Sequence, residues 1–184
     1  YPDVPNELST PERESRHHAA WNALQAGDLR RAERDFAALA GQPGFYPAEA
    51  GLGYVNLARK TLPAAIAAFD RALAVAPAYV PALLGKGEAL LEQNEQAAAL
   101  AVFEKALAAN PALSHAGTIR TRVDVLRFRA VQEQVARAQA AARAGRLDEA
   151  EAAYERAIAA SPESGFLYRE LAGVEQQRGR VDEA

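Results

Sequence analysis

Apolar positions recur at helical spacing along this chain, and one arrangement of them occurs three times. The three stretches are AAFDRALAVAP (67–77), AVFEKALAANP (101–111) and AAYERAIAASP (152–162). Each one has an alanine three positions after its aromatic residue, and another alanine lies four positions before that residue, which is typical of one face of a helix. Each ends on proline, which cannot continue a helix. No stretch alternates β-branched and polar residues as a strand does, so the pattern predicts an all-α chain.

The repeated arrangement has a fixed length. Four pairs of landmarks lie 34 residues apart in adjacent windows, namely Gly53 and Gly87, Phe69 and Phe103, Ala72 and Ala106, and Pro77 and Pro111. A period of this length predicts stacked helix–turn–helix units, because a single unit cannot bury its own apolar face. Glycine opposite a large ring lets two helices approach closely. We therefore interpret the repeated residues as packing residues.

These landmarks resemble the tetratricopeptide repeat (TPR) family, whose pattern combines a small residue on helix A, an aromatic between alanines on helix B, and a closing proline. Gly53, Ala65, Phe69, Ala72 and Pro77 match that pattern in one repeat. The resemblance covers about residues 13–112 and 130–184, and it implies a right-handed α-solenoid. The alanine- and arginine-rich style is similar to bacterial members, which implies a cytoplasmic or an envelope location.

The frame of the repeat predicts a domain organisation. An extended leader arm at 1–10 precedes a single solenoid at 11–184. Thr10, at the end of the arm, caps the first helix, and Pro11 lies in the first turn of that helix. The leader is either a disordered tail or an arm in the groove of its own or a neighbouring copy. RGRVDEA (178–184) matches the turn and the start of another helix B. The predicted repeats are 13–46, 46–79, 80–113, 131–164 and, in part, 165–184, with an insertion at 114–130.

The insertion predicts one long helix. Phe103 and Tyr154 are 51 residues apart, one period plus 17, and neither Gly nor Pro occurs from 118 to 144. We expect a continuous helix of about 30 residues, roughly Leu113–Ala144, between repeats three and four. Two apolar stripes on it imply two different neighbours. The first stripe, which covers the third repeat or serves as a docking face, is Ile119, Val123, Leu126 and Ala130; the second, which fits the stack of repeats, is Phe128, Val131 and Val135.

Charge is concentrated on this helix. Residues 114–146 hold seven Arg against two acidic residues, whereas the whole chain has a net charge of −3. The region is either a solvated helix surface or a second binding surface for an acidic partner. Few aromatic residues interleave with the arginines, which argues against nucleic acid. The arginines of this second surface are Arg120, Arg122, Arg127 and Arg129.

The resemblance also implies a binding groove, because TPR ligands contact helix A at fixed positions. Those positions hold apolar and aromatic residues here, and they lack the Lys, Arg and Asn with which some TPR proteins hold a peptide carboxylate. The groove therefore predicts an apolar anchor such as an amphipathic helix. Trp21 and Tyr54 either bind a partner there or pack against adjacent helices or the leader. The groove residues are His17, Trp21, Leu24, Tyr54, Leu57, Leu84, Glu88 and Leu91.

No arrangement of residues predicts chemistry. The chain has no Cys, no phosphate loop and no metalloprotease or serine-hydrolase motif, so we expect no enzyme activity, cofactor or metal. Glu14, His17 and His18 share one helical turn, but solvated helical histidines are the simpler interpretation. No apolar run approaches the length of a membrane span.

We therefore predict a non-catalytic protein–protein interaction scaffold that binds an apolar or amphipathic peptide in the concave groove. The alternative is a structural solenoid that oligomerises through the long helix or its C-terminal end. A module that recruits a partner to an enzyme elsewhere in a parent protein also fits the sequence.

Overall fold

The computed structural model describes residues 2, 4–112 and 116–182. Within those residues, a 3₁₀ turn at Asn6–Leu8 is followed by nine α-helices, and no strand occurs. The all-α prediction is confirmed. The helices are α1 Pro11–Gln25, α2 Leu29–Ala40, α3 Tyr46–Ala58, α4 Leu62–Val75, α5 Val80–Glu92, α6 Gln96–Ala109, α7 Ala116–Arg143, α8 Leu147–Ala160 and α9 Gly165–Asp182.

The chain divides into two compact units, residues 1–120 and 121–184. In the first unit α1 packs on α2, α3 on α4 and α5 on α6, as helix–turn–helix pairs do. Each pair also contacts the next through α2 with α3 and α4 with α5. In the second unit α8 packs on α9. Whether the two units continue one uninterrupted solenoid stays a prediction.

Rings packed against glycines hold the helix pairs of the first unit together. A Cβ atom added to Gly53 would lie 2.5 Å from the Phe69 ring, and one added to Gly87 would lie 2.6 Å from the Phe103 ring. The predicted pairing of glycine with phenylalanine is therefore confirmed. A Cβ atom added to Gly85, in the following repeat, would lie 2.3 Å from the same ring. The Phe69 ring thus lies against glycines of both α3 and α5 and is fully buried.

The long helix is confirmed, since α7 runs without interruption over 28 residues. Its predicted start at Leu113 lies outside the described residues. Of the first apolar stripe, Ile119, Val123 and Leu126 are buried, so these three side chains do not form an open docking face. In the second stripe Val131 and Val135 are half-buried against the core of the second unit, whereas Phe128 is exposed.

The predicted turn at Gly179 is wrong. Helix α9 continues through Gly179 to Asp182 as one helix of 18 residues. Gly179 does not adopt the positive φ that Gly27 and Gly145 have in the turns of this chain. A single glycine costs a helix only about 1 kcal/mol relative to alanine, so Gly179 alone does not end α9.

The leader is anchored to the first unit. Thr10 caps α1 by accepting a hydrogen bond from the backbone of Arg13 at 3.2 Å, with Pro11 in the first turn, as predicted. Val4 is buried in the same core cluster as Trp21. The Tyr46 hydroxyl donates to the Glu7 carboxylate at 3.3 Å. The described part of the leader is therefore packed on its own chain, and its residues 6–8 form a turn rather than an extended strand.

Candidate functional site

The predicted groove residues lie on α1, α3 and α5, which the fold brings side by side, because α3 contacts both α1 and α5. The structure does not present all of them to solvent. Leu24, Tyr54, Leu57, Leu84, Glu88 and Leu91 are half-buried.

His17 and Trp21 are inside the packing instead. Their relative exposures are 0% and 6%, so neither offers a side chain to a partner. The Trp21 indole N–H donates to Nε2 of His17 at 3.0 Å. Both rings also make edge contacts with Phe36, at 5.9 and 5.4 Å between ring centroids. Of the two predicted roles for Trp21, the structure shows the packing role, and we leave both residues out of the groove proposed below.

Tyr54 joins successive repeats. Its hydroxyl donates to the Pro81 carbonyl at 2.9 Å, and its ring lies 5.2 Å from Trp21 and 5.1 Å from Phe69. Burial, with a smaller effect of the Glu88 carboxylate, raises the pKa of Tyr54 far above its usual value. The hydroxyl therefore stays protonated and keeps its hydrogen bond. Much of this side chain is already committed within the fold.

The four arginines of the predicted second surface all lie on α7 and differ in their surroundings. Arg120 donates to the Pro111 carbonyl at 2.8 Å. Arg127 lies 3.7 Å from the Asp124 carboxylate, an exposed pair of little strength. Arg122 is half-buried and Arg129 is exposed. These side chains therefore do not form one uniform basic patch.

The second unit carries an open groove of about 470 Å³, with a mixed apolar and polar lining, between the second half of α7 and the start of α9. We call it the α7–α9 groove. Its apolar lining is Phe128, Val131, Val135, Phe166 and Leu167. Gln132, Gln139, Ser161 and Ser164 supply polar groups around that lining.

Two phenylalanines of this groove face solvent. Phe128 is 65% exposed and Phe166 is 45% exposed, whereas Leu167, which also lines the groove, is buried. Exposed apolar side chains that lie together mark interaction sites more often than single ones do. The sequence pattern placed Phe128, Val131 and Val135 on one stripe of α7, but it did not single out Phe166. Helical spacing could have identified Phe166 as exposed, because it lies outside the stripe formed by Leu167, Leu171 and Val174.

The histidines and carboxylates of the described residues do not form a candidate metal centre. Among the residues that the structure describes, no group of three His, Cys, Asp or Glu side chains could hold a metal ion. Glu14, His17 and His18 share a turn of α1, but His17 is enclosed by aromatic rings there. None of the described helices is both long and apolar enough to cross a membrane.

Comparison with known protein families supports the repeat pattern that the sequence predicts. One tetratricopeptide repeat model matches residues 18–80 and 62–114, and a second matches residues 131–174. The chain belongs to the tetratricopeptide repeat family. These TPR matches leave out the first part of α7, where the sequence predicted the insertion. Among curated protein sequences, none matches this chain.

Solved structures with the same fold include several TPR proteins. TTC0263 of Thermus thermophilus is 22% identical, with a TM-score of 0.54 over 93% of this chain and 84% of that one. The Yersinia enterocolitica type III secretion translocator chaperone SycD is 19% identical, with a TM-score of 0.59 over 67% and 98%. The TPR2B domain of yeast Sti1, in complex with pHsp70, is 18% identical, with a TM-score of 0.57 over 65% and 99%. At these identities the likeness concerns the fold.

Proposed function

We propose that this TPR chain is a non-catalytic protein-interaction module that binds an apolar segment of a partner in the α7–α9 groove. The observation that carries the proposal is the exposure of Phe128 and Phe166 on two helices that face one cavity. Aromatic side chains contribute much of the binding energy at interfaces, because each one buries a large area at a small entropic cost.

Relatives of the same fold support a protein-binding role. The Sti1 structure is a complex of its TPR2B domain with pHsp70, and SycD is a translocator chaperone. The half-buried residues on α1, α3 and α5 remain a second candidate face of the same kind. We place the main site in the second unit because Trp21 and His17 are committed to the core and Tyr54 is largely so.

The shape of the groove fits a short segment better than a flat protein surface. Val131, Val135 and Leu167 line the groove together with the two phenylalanines, and a single turn of helix or about three extended residues would fill its volume of about 470 Å³. Gln132 and Gln139 can bond to the backbone of an extended occupant, or to polar side chains of a helical one. This is the mode in which amphipathic segments occupy grooves.

A selection from a random peptide library tests the proposal. Wild-type protein is expected to enrich peptides that carry two apolar residues close together. Binding of those peptides, measured by fluorescence anisotropy, should fall at least about tenfold in a Phe128→Ser/Phe166→Ser variant, the loss expected when interface aromatics are removed. The variant should remain folded, since more than half of Phe128 and nearly half of Phe166 are exposed.

Tyr168→Ser is the matched control, because Tyr168 is 49% exposed on the same helix and does not line the groove. Equal binding by wild type and the double variant would show that the groove is not the site. Light scattering separates the alternative of self-association. A dimer of wild-type protein that dissociates in the double variant would mean that a second copy occupies the groove.

A further inference from the structure

The α7–α9 groove extends at both ends into regions that carry arginine. Toward the end of α7 it shares Gln139 with a depression lined by Arg143 and Arg169. At the other end it shares Phe128 and Val131 with a smaller depression that holds Arg127 and Asp124. The apolar part of the groove is thus continuous with charged walls.

Each of these walls also carries one carboxylate, Glu170 in the depression of Arg143 and Arg169, and Asp124 in the depression of Arg127. Glu170 accepts a hydrogen bond from the Tyr154 hydroxyl at 3.1 Å. Burial, followed by this bond to Glu170, raises the pKa of Tyr154 to about 12, so the hydroxyl keeps the proton that it donates. Asp124 lies 3.7 Å from Arg127.

Arg143 and Arg169 differ from Arg127 in this respect. Within the described part of the chain, neither of them forms an ion pair with a carboxylate. Both residues line one depression, which adjoins the α7–α9 groove at Gln139. A partner that brings carboxylates there would complete two charge-assisted hydrogen-bond pairs.

We infer that the α7–α9 groove binds an acidic amphipathic segment of a protein partner, with apolar residues between Phe128 and Phe166 and carboxylates against Arg143 and Arg169. The inference rests on the proposed function and adds the charge and the direction of the ligand. Complementary charge at the rim of an apolar site fixes orientation and accelerates association more than it adds affinity.

The helix geometry sets the spacing that the ligand needs. Val135 and Arg143 are eight residues apart on α7, which corresponds to about 12 Å along the helix axis. An extended ligand covers that distance in about four residues, and a helical ligand in about eight. We therefore expect the ligand to carry Asp or Glu about four residues from its apolar pair if it is extended, or about eight residues if it is helical. The acidic residues should lie on one side of the apolar pair only.

Peptides selected on the full chain test this charge rule. Enriched sequences should carry acidic residues on one side of the apolar pair, and their affinity should weaken with salt, since screening is stronger above about 0.1 M. Affinity should fall about tenfold in an Arg143→Glu/Arg169→Glu variant, a size typical of paired charges at an interface. The same peptides with Lys in place of Asp and Glu should bind the reversed variant better than wild type.

The control is Arg156→Glu, an exposed arginine of α8 that does not line the groove. Uncharged enriched peptides, or equal affinity for wild type and Arg143→Glu/Arg169→Glu, would overturn the inference. If Phe128→Ser/Phe166→Ser still abolished binding in that case, the proposed function would stand without the charge rule. Displacement of the peptide by single-stranded oligothymidylate at equal concentration would overturn the assignment of a protein ligand.

Discussion

Replacing Gly85 with alanine is expected to lower the free energy of unfolding of the first unit by about 1–3 kcal/mol, the usual cost of overpacking a core. The new Cβ atom would lie 2.3 Å from the Phe69 ring and 2.9 Å from the Tyr54 ring. Neither ring has room to retreat. The Phe69 ring also packs against Gly53, and the Tyr54 hydroxyl is hydrogen-bonded to the Pro81 carbonyl. The gain in helix propensity from alanine, up to about 1 kcal/mol, offsets only part of this cost.

Chemical denaturation followed by the fluorescence of Trp21, the only tryptophan of the chain, measures the effect in the unit that contains Gly85. Gly117→Ala is the control, since a Cβ atom there meets nothing within 4 Å, and we expect unchanged or slightly higher stability. In a Phe69→Leu background, Gly85→Ala should cost less, because the smaller side chain can yield. Equal costs in both backgrounds would show that the ring contact is not what excludes alanine.

Replacing Trp21 with alanine is expected to cost about 3–5 kcal/mol, the range for deleting a buried aromatic. The indole is 6% exposed and lies within 5.4 Å of both the Phe36 and Tyr54 rings, measured between centroids. Its loss also removes the donor that bonds to the buried His17. Thermal unfolding followed by far-ultraviolet circular dichroism measures this loss.

Trp21→Phe should cost much less than Trp21→Ala, because it keeps a ring in the cluster and gives up only the hydrogen bond and part of the volume. Val75→Ala serves as the control, since Val75 is 59% exposed and should leave stability unchanged. A Trp21→Ala protein as stable as wild type would contradict the packing role and return Trp21 to the binding face.

The sequence predicted those features that recur at a fixed spacing. Phe69 and Phe103 with Gly53 and Gly87 could be found because each pair lies within one repeat and is copied in the next. The long helix could be found because no residue between 118 and 144 interrupts it. Both features depend on local sequence alone.

Contacts between repeats could not be predicted in the same way. Gly85 touches a ring of the preceding repeat, and the family pattern does not mark that position. The frame places His17 and Trp21 on a ligand-binding face, yet Phe36 and Phe45 enclose His17, and Phe36 and Tyr54 pack on Trp21. The sequence puts Phe166 outside the buried stripe of α9, but only the packing of α9 beside α7 brings it to the same groove as Phe128. Such neighbours depend on the tertiary packing.

The most direct test of the account is photocrosslinking of a selected peptide that carries benzophenone at its apolar anchor, followed by mass spectrometry of the full chain. The account predicts crosslinks to α7 near Phe128 and Val135 and to α9 near Phe166, and their loss in the Phe128→Ser/Phe166→Ser variant. Crosslinks confined to α1, α3 and α5 would contradict it and place the binding site on the first unit.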